Sequence, residues 1–333
     1  MARRMSIDET VRARSPTRME DVMALRIVPG TANHALVEAV ATTLGTQLPP
    51  GRVERFPDGE LRPVVECVRG TDVYVVAPTG PPVNENVVEL LLLLDACRRS
   101  GATRVTAVVP YFGYARQDRR SRAGEAVGAR VIADALATAG AQRLVVVDPH
   151  TVALEAMCGT PVEMLTAVPG LAAALAPSIS SESVVVAPDL GAVKLAEHYA
   201  ALLRVPVAVV RKTRESGSRV HAEELVGDVD GRPTVIVDDM ISTGGTIEAA
   251  VRVLLTHRAT PEIVVATTHG LLVGAATDRL AALPLTCLLV TDTVAQDTTL
   301  PLPLQVHSIA PLLADAIGRL HRDEALDDLL VRS

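Results

Sequence analysis

Short apolar runs alternate with helical patterns along this chain of 333 residues, downstream of residue 24. The runs are LRIVPG, DVYVVAPTG, RVTAVVPYFGYARQ, RLVVVDPH, SVVVAPDLG, PVAVVRKTR, TVIVDDMISTGG, EIVVATTHG and PLTCLLVTDT. A short apolar run without polar alternation is typical of a strand that is buried on both faces, and such strands joined by helices form parallel sheets. Because ligands bind at the carboxyl ends of parallel strands, we expect the functional residues to follow these runs.

The order of the runs repeats once. VYVVAPTG followed by VTAVVPYFGYARQ parallels VVVAPDLG followed by TVIVDDMISTGG, with helical patterns between them. The length allows two domains of about 150 residues each. We therefore predict an α/β protein of two similar halves, each with a mostly parallel sheet flanked by helices. The predicted divisions are a mobile N-terminal tail over 1–24, a first half over 25–165 and a second half over 166–333.

Composition narrows the functional classes. The net charge of −7 argues against nucleic acid or an anionic membrane as the main partner. The longest apolar run, VVELLLLLDAC, is interrupted by Glu89 and Asp95, so we expect a core helix there and no membrane span. Residues 1–24 lack the apolar core of a signal peptide. Four cysteines without a C-x-x-C pair fit the reduced thiols of a cytoplasmic protein: Cys67, Cys97, Cys158 and Cys287.

The stretch TVIVDDMISTGGTI combines two acids with a hydroxyl-rich turn between a predicted strand and a predicted helix. Its glycines let backbone N–H groups turn inward, and the dipole of the following helix favours an anion at that end. An ordinary turn with a capping acid is the alternative, because a Gly-rich loop alone is a weak signal. The full combination predicts a monophosphate site formed by Ser242, Thr243, Gly244, Gly245 and Thr246.

The adjacent carboxylates of Asp238 and Asp239 need a separate role. They would repel a phosphate if they pointed at it, so we expect them to hold hydroxyl groups of the molecule that carries the phosphate, or water molecules of Mg²⁺. A phosphorylated sugar satisfies both parts of the site.

Two stretches of the first half, RFPDGELR and PYFGYARQDRR, hold four of the chain's aromatic residues, Phe56, Tyr111, Phe112 and Tyr114. Such a concentration in an aromatic-poor chain suggests a flat ligand that stacks on a ring. The arginines that follow, from Arg116 on, offer guanidinium groups for phosphates. A solvated Arg-rich loop with an aromatic core anchor is the alternative.

Further polar residues follow predicted strands in both halves. His150 and Asp189 suit an Mg²⁺–triphosphate site, although a lone His is more often structural and a lone Asp often caps a turn. Lys212 and Arg214 stand at the root of a polar stretch that reads as a mobile loop. Paired cations on such a loop would serve phosphoryl transfer, and a solvated basic loop is the alternative.

Together these motifs resemble the ribose-phosphate pyrophosphokinases, or phosphoribosyl pyrophosphate (PRPP) synthetases. The signatures FPDGE, PYFGYARQDRR, KTR, VIVDDMISTGGT and ATTHGLLVG occur in the order of that family. The resemblance implies two phosphoribosyltransferase-like halves. It also implies transfer of the β,γ-diphosphoryl group of ATP to the 1-hydroxyl of ribose 5-phosphate, with Mg²⁺, to give PRPP and AMP.

The resemblance assigns roles residue by residue. It implies that Asp238 and Asp239 hold the ribose hydroxyls, that the turn from Ser242 to Thr246 binds the 5-phosphate, and that Lys212 and Arg214 stabilise the transition state. It gives the metal and phosphate region to His150 and Asp189. The implied ATP-binding residues are Phe56, Asp58, Glu60, Arg116, Gln117 and Asp118, of which the first three would reach the adenine of a neighbouring subunit in a homo-oligomer.

The sequence departs from the common bacterial and mammalian pattern after two of its motifs. SRAGEAVGAR follows QDRR, and TVALEAMCG follows His150. APDLGAVKLAE, KTR and VTDT are more similar to the archaeal-type branch of the family. Two rival interpretations are a phosphoribosyltransferase, which would lack the nucleotide motifs around Phe56 and Arg116, and a non-catalytic regulatory subunit of a synthetase, against which the retained KTR motif argues.

Overall fold

The computed structural model describes residues 23–48, 51–214 and 221–331, with backbone only over 212–214 and 221–223. The predicted N-terminal tail therefore lies almost wholly outside the described residues. The elements of the first half are, in chain order, β1 (Leu25–Pro29), α1 (His34–Thr43), β2 (Gly51–Arg55), β3 (Leu61–Val65), β4 (Asp72–Val76), α2 (Val83–Arg99), β5 (Arg104–Val109), α3 (Gly128–Ala139), β6 (Arg143–Val147), α4 (Leu154–Met157) and β7 (Val162–Leu165).

The second half begins with a helix. Its elements are α5 (Val168–Leu175), a short 3-10 turn (Ala176–Ser178), β8 (Val184–Ala187), α6 (Val193–Leu203), β9 (Val207–Arg214), β10 (His221–Val226), β11 (Thr234–Ile241), α7 (Gly245–Thr256), β12 (Ile263–Gly270), α8 (Ala276–Ala281), β13 (Leu285–Thr291), β14 (Leu304–His307) and α9 (Ala310–His321).

Each half is built on a mostly parallel sheet. The first sheet has the order β1-β4-β5-β6-β7, and all its pairs are parallel. The second has the order β10-β9-β8-β11-β12-β13-β14, in which the pair of β10 with β9 is antiparallel. Strands β2 and β3 form a separate antiparallel hairpin. The predicted fold class is confirmed.

The apolar runs are buried on both faces, as their composition predicts. Every residue of β4 is buried, and its side chains alternate between two hydrophobic clusters. Val73 and Val75 pack in a cluster with α2, whereas Tyr74 and Val76 belong to a cluster that also contains Leu313 of α9. Because this second cluster includes strands of both sheets, the halves share one continuous core.

The run VVELLLLLDAC lies in α2 and buries one face of that helix, as expected of a core helix. Its interrupting acid, Glu89, is buried and accepts hydrogen bonds from the backbone N–H and the hydroxyl of Thr31, both at 2.6 Å. Within the described part of the chain, no helix is long and apolar enough to cross a membrane.

The end of the chain returns to the first half. Leu330 forms a β-bridge with Leu165, and the N–H of Thr166 donates to the carbonyl of Leu329 at 2.9 Å. Near the amino end of β4, Asp72 accepts hydrogen bonds from Arg104 at 2.6 Å and from His321 at 2.8 Å. These contacts fix the second half against the first, those of Leu329 and Leu330 at the carboxyl end of β7 and that of His321 with Asp72 at the opposite edge.

Candidate active site

The carboxyl ends of strands from both halves meet at one place. His150, in the loop after β6, has its Nδ1 atom 2.6 Å from Oδ2 of Asp239, near the end of β11. This pair joins the two sheets at the edge where ligands were expected from the sequence. Residues that the sequence singled out in different halves therefore come together in one chain.

The predicted phosphate turn connects β11 to α7 directly. Gly244 has a left-handed φ of +76° at the helix start, which a residue with a Cβ adopts only at a cost. No side chain caps this helix, and among the described residues no hydrogen bond uses the backbone N–H of Gly244, Gly245 or Thr246. These donors lie at the positive end of the helix dipole, which is the arrangement that binds a phosphate.

Arg279 supports this turn from α8. Its guanidinium donates to the carbonyl of Thr243 and forms an ion pair with Glu248 at 2.9 Å. The carbonyl of Ser242 accepts from the N–H of Val273 at 2.9 Å. Both contacts use carbonyl groups of the turn, which leaves its N–H groups for a ligand. Sequence reasoning missed Arg279, because nothing in the sequence around it indicates a contact with the turn at 242–246.

The two adjacent acids have different electrostatic states. Burial, together with the negative charges of Asp239 and Asp189, raises the pKa of Asp238 to about 8. Burial opposes charge on Asp239 as well, but the hydrogen bond from His150 and its positive charge hold the pKa of Asp239 below its usual range. The same hydrogen bond raises the pKa of His150. Asp239 is therefore charged at neutral pH, while Asp238 keeps its proton up to about pH 8.

Asp189 lies beside this pair and also caps a turn. Its Oδ1 atom accepts from the backbone N–H of Gly191 at 2.8 Å and of Ala192 at 3.3 Å. Among the described residues, no group of three or more His, Cys, Asp and Glu side chains could hold a metal ion. Mg²⁺ needs only one or two protein carboxylates when substrate phosphates and water supply its other ligands. Burial first, and then the negative charges of Asp239 and Asp189, raise the pKa of Asp238, and this cluster of carboxyl groups fits a cation of this kind.

The Arg-containing loop after β5 is anchored by buried rings. Tyr111 is 6% exposed and Phe112 is 3% exposed, and the N–H of Gly113 donates to the Thr79 hydroxyl at 2.7 Å. The expectation that Tyr111 and Phe112 stack on a flat ligand is therefore wrong. The alternative, an aromatic anchor below an Arg-rich loop, is correct for these two rings.

The exposed part of that loop reaches the site. Arg116 and Gln117 are exposed, whereas Asp118 is half-buried. The negative charge of Asp118 raises the pKa of His150, and the positive charge of Arg116 lowers it. Both side chains are therefore within electrostatic reach of the pair between the halves.

The hairpin of β2 and β3 carries the other predicted part of the ATP site. At its tip, Phe56, Asp58 and Glu60 are exposed, Phe56 to 38%. The Phe56 ring lies under the Arg62 guanidinium at 5.2 Å, and Asp58 accepts from the N–H of Glu60 at 3.1 Å. Among the described residues, no hydrogen bond or ion pair joins this tip to the loop at 116–118. Both parts approach the start of α2, where Arg55 of the hairpin pairs with Glu85 at 2.6 Å and the Tyr114 hydroxyl of the loop donates to Asn84.

Lys212 and Arg214 have their backbone in β9, but their side chains lie outside the described residues. Their backbone positions pair with Glu223 and His221 of β10. The stretch predicted to be a mobile loop thus includes strand β10, which pairs with β9 in antiparallel fashion before the chain enters β11.

A second contact between the halves was missed by sequence reasoning. His269, at the end of β12, lies with Nε2 3.1 Å from the carbonyl oxygen of Asp148, which precedes His150 by two residues. The hydroxyl of Thr268 donates to the Asp148 carboxylate at 2.7 Å. The available signal was the motif ATTHG, which sequence reasoning used only as a signature.

Comparison with known proteins gives consistent results for both halves. Residues 25–140 match the N-terminal domain of ribose phosphate pyrophosphokinase, and residues 162–300 match the phosphoribosyl transferase domain.

Similar proteins cover most of the chain. The ribose-phosphate pyrophosphokinase of Rhodopirellula baltica is 41% identical over 314 residues, which cover 92% of this chain and 98% of that protein. That of Caldanaerobacter subterraneus subsp. tengcongensis is 38% identical, with the same two shares. The crystal structure of phosphoribosylpyrophosphate synthetase from Mycobacterium smegmatis is similar with a TM-score of 0.83 and 37% identity, over 90% of this chain and 99% of that one.

Proposed function

The chain belongs to the ribose-phosphate pyrophosphokinase family, and from this premise we propose that it transfers the β,γ-diphosphoryl group of ATP to the 1-hydroxyl of ribose 5-phosphate. The products are PRPP and AMP. The observation that carries the proposal is the contact of His150 with Asp239 at 2.6 Å, because it joins the nucleotide motifs of the first half to the sugar-phosphate motif of the second.

On the sugar side, the turn from Ser242 to Thr246 binds the 5-phosphate through backbone N–H groups and hydroxyls. Asp238 and Asp239 face the ribose hydroxyls. The raised pKa of Asp238 suits this role, since a carboxyl group near protonation can donate to a hydroxyl or exchange its proton for a cation. The family description of residues 162–300 supports the same role.

On the nucleotide side, Arg116, Gln117 and Asp118 bind ATP next to His150. We propose that the hairpin tip with Phe56, Asp58 and Glu60 completes the adenine pocket of a neighbouring copy. Two observations support this sharing: the tip is exposed, and it makes no hydrogen bond to the nucleotide loop of its own chain. The protein then works as a homo-oligomer.

Mg²⁺ is the proposed cofactor, held by ATP phosphates, water and the carboxylate of Asp189. When bound, it neutralises charge on the transferred phosphoryl groups. His150 serves the phosphate side of this region, because the hydrogen bond to Asp239 favours its protonated form, which donates to phosphate oxygens.

The 1-hydroxyl oxygen attacks the β-phosphorus of ATP. The bond from that phosphorus to the bridging oxygen of the α-phosphate breaks, AMP leaves with this oxygen, and the hydroxyl proton passes to solvent. Lys212 and Arg214 stabilise the negative charge that spreads over the transferred group. Their backbone lies in the part of β9 that extends beyond Val209, which pairs with Ala187 at the end of β8, and this position supports the role because β8 leads to Asp189.

We also propose that this chain has features of the archaeal-type branch of the family, on the basis of APDLGAVKLAE, KTR and VTDT. A cytoplasmic setting is proposed because all four cysteines are free. The proposed units are a tail over 1–24 and halves over 25–165 and 166–333, and Leu330 of the second half forms a bridge with Leu165 of β7.

The test is AMP formation by the purified protein from ATP and Mg²⁺, with and without ribose 5-phosphate. AMP that forms only with the sugar phosphate, one molecule for each PRPP, is the expected result. Folded protein that binds both ligands and forms no AMP would contradict the proposal and favour the regulatory-subunit alternative.

A further inference from the structure

His269 occupies a buried position between segments that the proposed reaction uses. It is 1% exposed at the end of β12. Its Nδ1 atom lies 2.9 Å from the hydroxyl of Thr293, and its Nε2 atom lies 3.1 Å from the carbonyl of Asp148. The edge of the ring packs against Tyr111, with centroids 5.0 Å apart and planes at 68°. All of its polar atoms have partners within the protein.

The contact with Asp148 reaches the segment that carries His150. Asp148 has a left-handed φ of +37°, which is uncommon outside glycine although Asp tolerates it better than most residues. Several contacts hold this conformation. The carboxylate accepts from Thr268 at 2.7 Å and from the N–H of Ala167 at 3.0 Å, and the carbonyl accepts from His269. The direction in which the chain leaves β6 therefore depends on β12 of the other half.

The contact with Tyr111 reaches the nucleotide loop. The carbonyl of Tyr111 accepts from the N–H of Thr79 at 2.9 Å and from its hydroxyl at 3.0 Å, so the start of the loop is fixed to the first half. The ring then extends to His269 in the second half. Arg116 and Asp118 follow in the same loop.

The hydrogen bonds of His269 define its tautomer. A carbonyl oxygen can only accept, so Nε2 carries the proton that is donated to Asp148, and Nδ1 accepts from the hydroxyl of Thr293 in the neutral ring. Burial lowers the pKa of His269, which is consistent with this neutral form.

We propose that His269 is a positioning residue of the diphosphoryl transfer, which holds the segments 111–118 and 148–150 of the first half in fixed relation to β12. This inference rests on the proposed function. It assigns His269 no contact with substrate. Because a misplacement of about 1 Å can cost a factor of about 100 in rate, a contact between these segments can govern kcat from outside the substrate site.

The test compares three variants with a matched control. His269→Phe keeps a ring for Tyr111 and removes both hydrogen bonds, while His269→Gln keeps a donor for Asp148. Thr293→Val removes the partner of Nδ1, together with the bonds of that hydroxyl to Thr291 and to the Thr268 carbonyl, and serves if the His269 variants fold poorly. The control is His257→Gln, just after α7, whose ring forms a hydrogen bond with the Val253 carbonyl of its own helix at 2.9 Å.

The readouts are kcat and KM for both substrates, together with amide hydrogen exchange of peptides covering 111–118 and 148–150. We expect His269→Phe to lower kcat by roughly 10- to 100-fold with little change in either KM. His269→Gln should recover part of this loss, and Thr293→Val should show a smaller loss. Hydrogen exchange should become faster in the segments 111–118 and 148–150 of His269→Phe, and the control variant should match the wild type.

Unchanged exchange in the two segments, or unchanged kcat, would overturn the inference. Faster exchange throughout the protein would also overturn it, because that is the result of general destabilisation. If the wild type forms no AMP, the proposed function fails, but the exchange measurement still decides whether His269 couples the two segments.

Discussion

The two halves carry loops of different length after corresponding central strands of their sheets. Strand β5 of the first half and β11 of the second each lie between parallel neighbours, and each leads to a predicted ligand loop. Only residues 242–244 separate β11 from α7, whereas residues 110–127 separate β5 from α3. The short turn offers backbone N–H groups at a helix start. The long loop offers exposed side chains, with Arg116 among them.

This difference matches two kinds of recognition. Backbone donors at a helix start bind any phosphate that fits, and they depend on glycine rather than on side-chain identity. Guanidinium and amide side chains distinguish among larger ligands, and their loop can change without disturbing the sheet. Under the proposed function, the first half recognises the nucleotide through side chains and the second half recognises the sugar phosphate through its backbone.

The largest expected effect tests whether a cation of β9 stabilises the transition state, which neither loop does in the proposed mechanism. Lys212→Ala should lower kcat by roughly 10³- to 10⁵-fold, because charge that stabilises the phosphoryl-transfer transition state is worth that much. Binding of ribose 5-phosphate should persist in a titration with the variant. The chain has one other lysine, the exposed Lys194, and Lys194→Ala is the matched control. Near-normal turnover of the Lys212 variant would remove this residue from the mechanism.

A pair of glycine variants tests the comparison of the loops directly. Gly244 and Gly124 both have left-handed φ, at +76° and +87°, in the short and the long loop respectively. Gly244→Ala should raise KM for ribose 5-phosphate by about 10- to 100-fold, since a charge-assisted hydrogen bond is worth about 1.5–3 kcal/mol. Gly124→Ala carries similar backbone strain and should leave that KM unchanged. Equal effects of both substitutions would show that the short turn has no special role.

The contact of Arg279 with the short turn predicts a smaller effect. Arg279→Ala should raise KM for ribose 5-phosphate by about 2- to 10-fold, because it removes a hydrogen bond worth about 0.5–1.5 kcal/mol at Thr243. Arg252→Ala is the control, since Arg252 pairs with the same Glu248 at 3.5 Å. A rise in KM for both variants would assign the effect to Glu248 and not to the turn.

The contact between the halves predicts a pH dependence of stability without ligands. The folded-state pKa of His150 is raised, so its contribution is fully present below about pH 6.5 and is lost as the pH rises through the folded-state value. The pKa of Asp239 is lowered. Its contribution to stability is therefore lost only in acid, as the pH falls through the folded-state pKa.

Thermal unfolding of the wild type and of His150→Asn should therefore differ most at mildly acidic pH and converge above neutrality. The exposed pair of His34 with Glu38 provides the control variant His34→Asn, which should show little difference at any pH. A difference in Tm that grows with rising pH would contradict the assigned direction.

The features that depend on local sequence were predictable. Val-rich runs predicted the buried parallel strands, and the two glycines after Asp239 predicted a turn at a helix start, because both follow from backbone and burial rules. Contacts between distant segments were not predictable. The bond of His269 to Asp148 joins residues 121 positions apart, and the burial of Tyr111 depends on packing in the folded core.

The central claim is that both halves act on their substrates in a single transfer. The most direct measurement is ³¹P NMR of the wild-type protein with ATP, ribose 5-phosphate and Mg²⁺. We predict that the α-phosphate appears as AMP while the β- and γ-phosphates appear together as a diphosphate on C1 of the ribose. ADP with ribose 1,5-bisphosphate, or free phosphate with an unchanged sugar, would contradict the account.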